Sequence, residues 1–269
     1  MNPVAFNIGN LEVRWYGVLI ALGVLVGMFL ASYNAKKINL DFEKILDGFL
    51  VAFPCAIIGA RAYYVFFEFD HFRDNILSIF NLRTGGLAIH GGLIGGLIGA
   101  IIYCKIKKVK IMKYLDVVAP SLIFAQAIGR WGNFMNGEAH GDEVTYEFIS
   151  KFPQFIQKGM YIDGHYYNPT FLYESFWNIV VFTVLMIILY KKKESEDGIV
   201  IASYAMLYSV GRLFIEQLRT DSLMIGNIKM AQIISIIGMI IGIIYIIYIK
   251  KSSINKNLDI NSNNKSSIY

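Results

Sequence analysis

The sequence predicts an all-α polytopic membrane protein, with about seven transmembrane helices and a small outward-facing subdomain. Three observations carry that expectation. Hydrophobic residues make up 55% of the 269 and charged residues 17%, above and below the roughly 45–50% and about 25% of soluble chains. The excess is gathered into seven blocks, each close to the ~20 apolar residues that a bilayer crossing needs. Lysine is distributed unequally between the two alternating sets of connecting segments.

The blocks fall at 15–33, 45–67, 86–104, 114–132, 171–190, 198–216 and 230–249. The leader MNPVAFNIGNLEV carries no cation before Arg14, so the first block is expected to stay as an anchor rather than be cleaved as a signal peptide. In the third block, GGLAIHGGLIGGLIGA, Gly91, Gly95 and Gly99 lie four apart, as do Gly92 and Gly96. That spacing forms a groove into which another backbone can pack. The segment 133–170 is long enough for an extracytoplasmic subdomain, and Asp163-Gly164 between Met160-Tyr161-Ile162 and His165-Tyr166-Tyr167 predicts a hairpin. The polar, repetitive stretch KKSSINKNLDINSNNKSSIY predicts a disordered cytoplasmic tail over 250–269. The expected organisation is therefore one transmembrane domain over 1–249, including that subdomain, followed by the tail.

Of the 25 Lys and Arg, fifteen, all lysine, lie in one set of connections, seven in the other, and three arginines lie inside spans. The positive-inside rule then puts the N-terminus out and the C-terminus in. The net charge of +5 reads as lysines facing anionic membrane lipids rather than nucleic acid. Cys55 and Cys104 lie in different spans at different depths, so no disulfide is expected, and a thiol in apolar surroundings is inert. No Cys/His or carboxylate spacing reads as a metal site.

With this topology the unusual polar residues gather at one level. Tyr16 begins the first span near the outer surface, Arg61 lies in the outer half of the second, and His90 sits about one turn into the third. The fourth span delivers Arg130, Asn133, Asn136 and Glu138 to the outer boundary through GRWGNFMNGEAHG, residues 129–141, and the fifth begins there with Tyr173 and Glu174. In the sixth, Tyr208, Arg212, Glu216 and Arg219 fall within about 80° of one another at ~100° per residue, one narrow stripe. Polar groups on the lipid side are costly, so the expectation is one inward cavity, open near the outer leaflet and richer in arginine than in carboxylate. Arg212 and Glu216, at i and i+4, could equally be a structural ion pair. Arg130 and Arg61 have no acid at helical spacing, and a guanidinium fork without its carboxylate suits a ligand's phosphate or carboxylate. A lipid headgroup would bring such an anion to this depth. His90, flanked by glycines, is either an interhelical hydrogen-bonder or a proton acceptor near neutral pH. His71, His140 and His165 are expected to be surface residues. The inner halves of the spans are nearly free of charge, which disfavours an anion channel or transporter.

At GRWGNFMNGEAHG the sequence resembles the bacterial prolipoprotein diacylglyceryl transferase family, whose signature G-R-x-G-N-F-x-N-x-E-x-x-G is matched by Gly129, Arg130, Gly132, Asn133, Phe134, Asn136, Glu138 and Gly141. The likeness extends to RWYG at 14–17, HGGLIG at 90–95, Tyr173-Glu174 and the Tyr208–Arg219 stripe. It departs at Asn168, where family members often carry histidine. The resemblance implies that phosphatidylglycerol donates its diacylglyceryl group to the lipobox cysteine of an exported prolipoprotein in the bacterial cytoplasmic membrane, with no cofactor. It also implies His90 as the base and Arg130 and Arg212 on the phosphate. Asn133, Asn136 and Glu138 would bind the glycerol hydroxyls or orient Arg130, Gly141 would belong to the same phospholipid site, and Tyr208 and Tyr16 would bind headgroup or peptide, with Glu216, Arg219 and Arg61 in support. A lipid-binding protein without catalysis, or a transferase with another acceptor, would share most of these features.

Overall fold

The computed structural model describes residues 2–9, 11–73, 75–81, 85–222, 224–226 and 228–266, with the backbone alone at 11, 225 and 256–266. Among them are seven helices long and apolar enough to cross a membrane. In chain order the elements begin with a hairpin of β1 (Val4–Ile8) and β2 (Leu11–Arg14), then α1 (Trp15–Lys37), α2 (Phe42–Phe67), α3 (Ile89–Ile106) and α4 (Ile111–Asn136). Next come β3 (Glu143–Val144), the short helices α5 (Tyr146–Ile149) and α6 (Gln154–Gly159), and the strands β4 (Tyr161–Ile162) and β5 (His165–Tyr167). α7 (Thr170–Lys191), α8 (Ile199–Gln217), the hairpin β6 (Met224–Ile225) and β7 (Ile228–Lys229), and α9 (Met230–Ser266) complete the chain.

Helix ends are set by local chemistry. Asp41 caps α2, its side chain accepting from the Glu43 N–H at 3.0 Å, and so starts the helix ahead of the predicted 45. α3 starts at Ile89, after Gly85 and Gly86, whose φ of +81° and +77° are non-helical. α4 runs past the predicted 132 to Asn136, so Arg130, Asn133 and Asn136 are all helical. It stops at Gly137, φ +67°, where Gly137 N–H donates to Phe134 O and Glu138 N–H to Asn133 O. That pair is the Schellman arrangement, which a left-handed glycine permits. The backbone of α9 continues as helix to Ser266, where the polar composition predicts disorder from 250; residues 267–269 of that tail lie outside the described residues.

The chain divides into two compact units, 1–34 with 115–269, and 35–114. In the smaller, α2 and α3 pack through the predicted glycine groove: a Cβ on Gly95 would lie 3.0 Å from the Gly59 Cα, and one on Gly99 2.8 Å from the Cys55 Cβ. In the larger, α9 packs on α8 through Gly242, whose Cβ would lie 2.9 Å from the Ala202 carbonyl, while Ile237, Ile241, Ile244 and Ile247 of α9 stay exposed, as helices facing lipid require.

The 133–170 subdomain belongs to the larger unit and packs Phe134, Ile149, Ile156 and Met160 with Phe171 of α7 into one core. The expected hairpin is present. β4 and β5 pair antiparallel with Ile162 opposite His165, turning through Asp163 and Gly164 at φ +49° and +90°, the two left-handed residues of a type I′ turn. β3 adds to the free edge of β5.

Candidate active site

The larger unit gathers most of the predicted site residues at one end of α4, α7 and α8. Glu174, in the second turn of α7, is almost wholly buried, and Arg130 of α4 reaches it with Nη2 2.5 Å from Oε1. Arg212 of α8 approaches the same carboxylate, Nη1 lying 3.3 Å from both oxygens, and places Nη2 2.7 Å from Glu216 Oε2. Two arginines from different helices thus share one carboxylate. The expectation of a site richer in arginine than in carboxylate is corrected: two guanidinium groups meet two carboxylates. Arg130 has no acid within a turn of it on α4, but α7 supplies one that α4's helical spacing could not reveal.

The pairs are not symmetric. The Arg130 and Arg212 side chains are 21% and 17% exposed, those of Glu174 and Glu216 3% and 2%. The carboxylates lie behind and the guanidinium groups in front. A guanidinium has five N–H donors in a rigid plane, so hydrogen bonds to protein leave donors for a ligand on the accessible side. Arg130 spends one more on Asn133 Oδ1, at 3.3 Å. Asn133 and Asn136 in turn donate to Glu138 Oε1 at 3.1 and 3.2 Å, so this chain of amides orients Arg130.

Small residues bring the remaining groups in. Tyr16 of α1 lies against Gly132, where a Cβ would come within 2.8 Å of its ring. Tyr208 stacks on Tyr204, ring centroids 5.8 Å apart, and the Tyr204 hydroxyl meets the Gln126 amide at 3.0 Å. Gly141 pairs with Arg219 in an isolated bridge, and a Cβ there would lie 2.6 Å from the Leu218 carbonyl. Arg219 donates through Nε and Nη2 to the two oxygens of Asp221 at 3.0 and 2.8 Å. Burial alone would push the Asp221 carboxyl up, but this fork holds it below the ordinary carboxylate range. Lys229 donates to the carbonyls of Glu216, Gln217 and Arg219 at 2.8, 3.3 and 2.6 Å, satisfying groups that the end of α8 leaves open. Contrary to expectation, His140 is not a simple surface residue: half-buried, its ring packs tilted against that of Tyr167, 4.1 Å between centroids.

Arg61 and His90 belong to the smaller unit. Arg61 is buried and donates five hydrogen bonds of 2.7–3.1 Å to the carbonyls of Ser78, Ile79, Asn81, Gly85 and Gly86. All its donors hold the segment between α2 and α3, so the reading of Arg61 as an open anion fork is corrected to a backbone clamp. His90 is half-buried in the first turn of α3, its ring 6.1 Å from that of Tyr63. Cys55 and Cys104 are both free. Among the described residues, no cluster of three or more His, Cys, Asp or Glu could hold a metal ion.

The opposite end of the larger unit carries a charge that the sequence reading passed over. Asp116 of α4 is fully buried, accepts N–H from Gly198, Val200 and Ile201 at 2.8–3.0 Å, and pairs with Lys192 at 2.5 Å. The inner half of the fourth span is therefore not charge-free.

Among the described residues, seven helices long and apolar enough to cross a bilayer define a multi-pass membrane protein, and in its larger unit two guanidinium groups from α4 and α8 meet on one buried carboxylate. The sequence model described as prolipoprotein diacylglyceryl transferase matches residues 3–248, and the chain belongs to that family. Among similar proteins, the phosphatidylglycerol–prolipoprotein diacylglyceryl transferase 1 of Clostridium perfringens (strain 13 / Type A) is 62% identical over 249 residues, 93% of this chain and 95% of the relative. The transferase of Clostridium botulinum (strain 657 / Type Ba4) is 57% identical over 94% of this chain and its own full length. That of Clostridium kluyveri is 56% identical over 93% and 97%.

Proposed function

We propose that this chain moves the diacylglyceryl group of phosphatidylglycerol onto the lipobox cysteine of prolipoprotein signal peptides; the names of its relatives give phosphatidylglycerol, a prolipoprotein and a diacylglyceryl transfer for them. The observation that carries the reading is the convergence of Arg130 and Arg212 on Glu174, guanidinium side accessible. In the transfer, the cysteine sulfur bonds to the glyceryl CH₂ that carries the phosphoester, and that carbon–oxygen bond breaks. The electron pair leaves with glycerol phosphate, and the thiol proton passes to a base. Arg130 and Arg212 hold the phosphate and stabilise the charge it gains, and removing one such donor costs about 10²–10³ in rate. Asn133, Asn136 and Glu138 keep Arg130 in place, and Tyr16 and Tyr208 flank the headgroup. A free thiol has a pKa of about 8.5, so His90 accepts its proton. Both reacting groups arrive with the substrates, and no cofactor is called for.

The protein sits in the bacterial cytoplasmic membrane, with its N-terminus and the Arg130 end outside and its C-terminus inside. Purified protein incubated with labelled phosphatidylglycerol vesicles and a lipobox peptide is expected to give lipidated peptide. Arg130→Ala, still inserted, is expected to give none; turnover at the wild-type rate would remove the arginine from the chemistry. His90→Gln is expected to lower kcat, and turnover at the wild-type rate would remove His90 from the chemistry.

A further inference from the structure

We infer that Asp116 is a positioning residue, which sets the axial register in which Arg130 and Arg212 meet on Glu174. The inference rests on the transferase reading for its kinetic consequence and on geometry alone for its structural one. Asp116 seats the start of α8: Oδ2 accepts the Gly198 N–H at 2.8 Å, and Oδ1 accepts those of Val200 and Ile201 at 2.9 and 3.0 Å. Gly198 has φ +95° and supplies no side-chain cap, so a carboxylate from another helix takes the capping role. It also sits where the positive end of the α8 dipole favours an anion.

The two helices then rise in step. Arg130 follows Asp116 by fourteen residues on α4, and Arg212 follows Gly198 by fourteen on α8, each about 21 Å at ~1.5 Å per residue. α7 returns between these levels, with Lys192 on Asp116 at one end and Glu174 between the arginines at the other. Three backbone hydrogen bonds to a fully buried carboxylate oppose sliding of α8 along α4. A slip of one residue would carry Arg212 past Glu174 by about 1.5 Å, and a misplacement of ~1 Å caused far from the chemistry can cost about 100-fold in rate.

Full-length protein in nanodiscs, with Cys55→Ser and Cys104→Ser, would carry spin labels on Leu122→Cys and Phe214→Cys, exposed positions of α4 and α8. Asp116→Ala is expected to shift or broaden the inter-label distance by at least about 1.5 Å. Its kcat is expected to fall about 100-fold, by more than KM for phosphatidylglycerol rises. Asp116→Asn, which keeps one acceptor oxygen for Val200 and Ile201, should lie between. Lys192→Gln, which leaves all three backbone bonds, should keep the wild-type distance and a kcat near wild type. A wild-type distance and kcat in folded Asp116→Ala or Asp116→Asn would overturn the inference. So would losses that vanish well below the variants' melting temperatures, or a Lys192→Gln variant that matches Asp116→Ala on both readouts. Failure of the wild type to lipidate peptide would reject the transferase reading instead, and the label distance would still decide the register.

Discussion

Glu174 places one buried negative charge against two guanidinium groups, and Glu216 adds a second behind Arg212. Buried ion pairs contribute little net stability because desolvation offsets their attraction, yet removing one partner strands the other. Their use here is orientation, since a planar fork clamped from behind has few ways to face forward. Glu174→Gln keeps the shape and removes that charge. It is expected to lower kcat about 100-fold through loss of alignment, while KM for phosphatidylglycerol does not rise, because net positive charge facing the phosphate increases. Steady-state kinetics on vesicles check this, and a raised KM with unchanged kcat would make Glu174 a binding residue only. Arg130 and Arg212 were legible in the sequence because arginine inside an apolar span demands a partner. Their shared acid was not, because helical spacing relates residues on one helix and Glu174 is on another. Tyr173-Glu174 at the start of an apolar block was the available signal.

Among the elements, the spans were legible to within a few residues because twenty apolar residues have few other uses. What shifted their ends was capping chemistry, as at Asp41 and Gly137. The β1–β2 hairpin went unforeseen because its strands are short and precede the first span without alternating cleanly. In the α7–α8 connection the acids are the ties. Glu196 accepts the Lys193 N–H at 3.1 Å and the Lys250 ammonium of α9 at 3.0 Å. Burial would raise its carboxyl, but these contacts outweigh it and hold the group below its ordinary value. A depressed folded value means that the contribution is full above the unfolded value of about 4.3 and is lost as pH falls through the folded one. Wild-type melting temperature should therefore drop more steeply than that of Glu196→Gln as pH falls below about 4.3, the two curves converging at the acid end. Parallel curves would show that the tie contributes nothing to folding.

For the molecule as a whole, function depends on which side of the membrane the Arg130 end faces, because an exported prolipoprotein presents its cysteine at the outer face. The positive-inside rule weighs lysines and arginines in short loops near the span ends. The turn between α3 and α4 concentrates Lys105, Lys107, Lys108, Lys110 and Lys113 within nine residues, whereas the 133–170 subdomain has only Lys151 and Lys158 in thirty-eight. Carrying the first across the bilayer costs far more than carrying the second, so the expected topology keeps the lysine turn inside and puts the subdomain out. Glu147 and Lys107 are both exposed. With Cys55 and Cys104 replaced by serine, Glu147→Cys is expected to react with a membrane-impermeant maleimide on intact cells, and Lys107→Cys only after permeabilisation. The reverse pattern would put the paired arginines on the cytoplasmic side, out of reach of an exported cysteine, and the proposed transfer would fail with it.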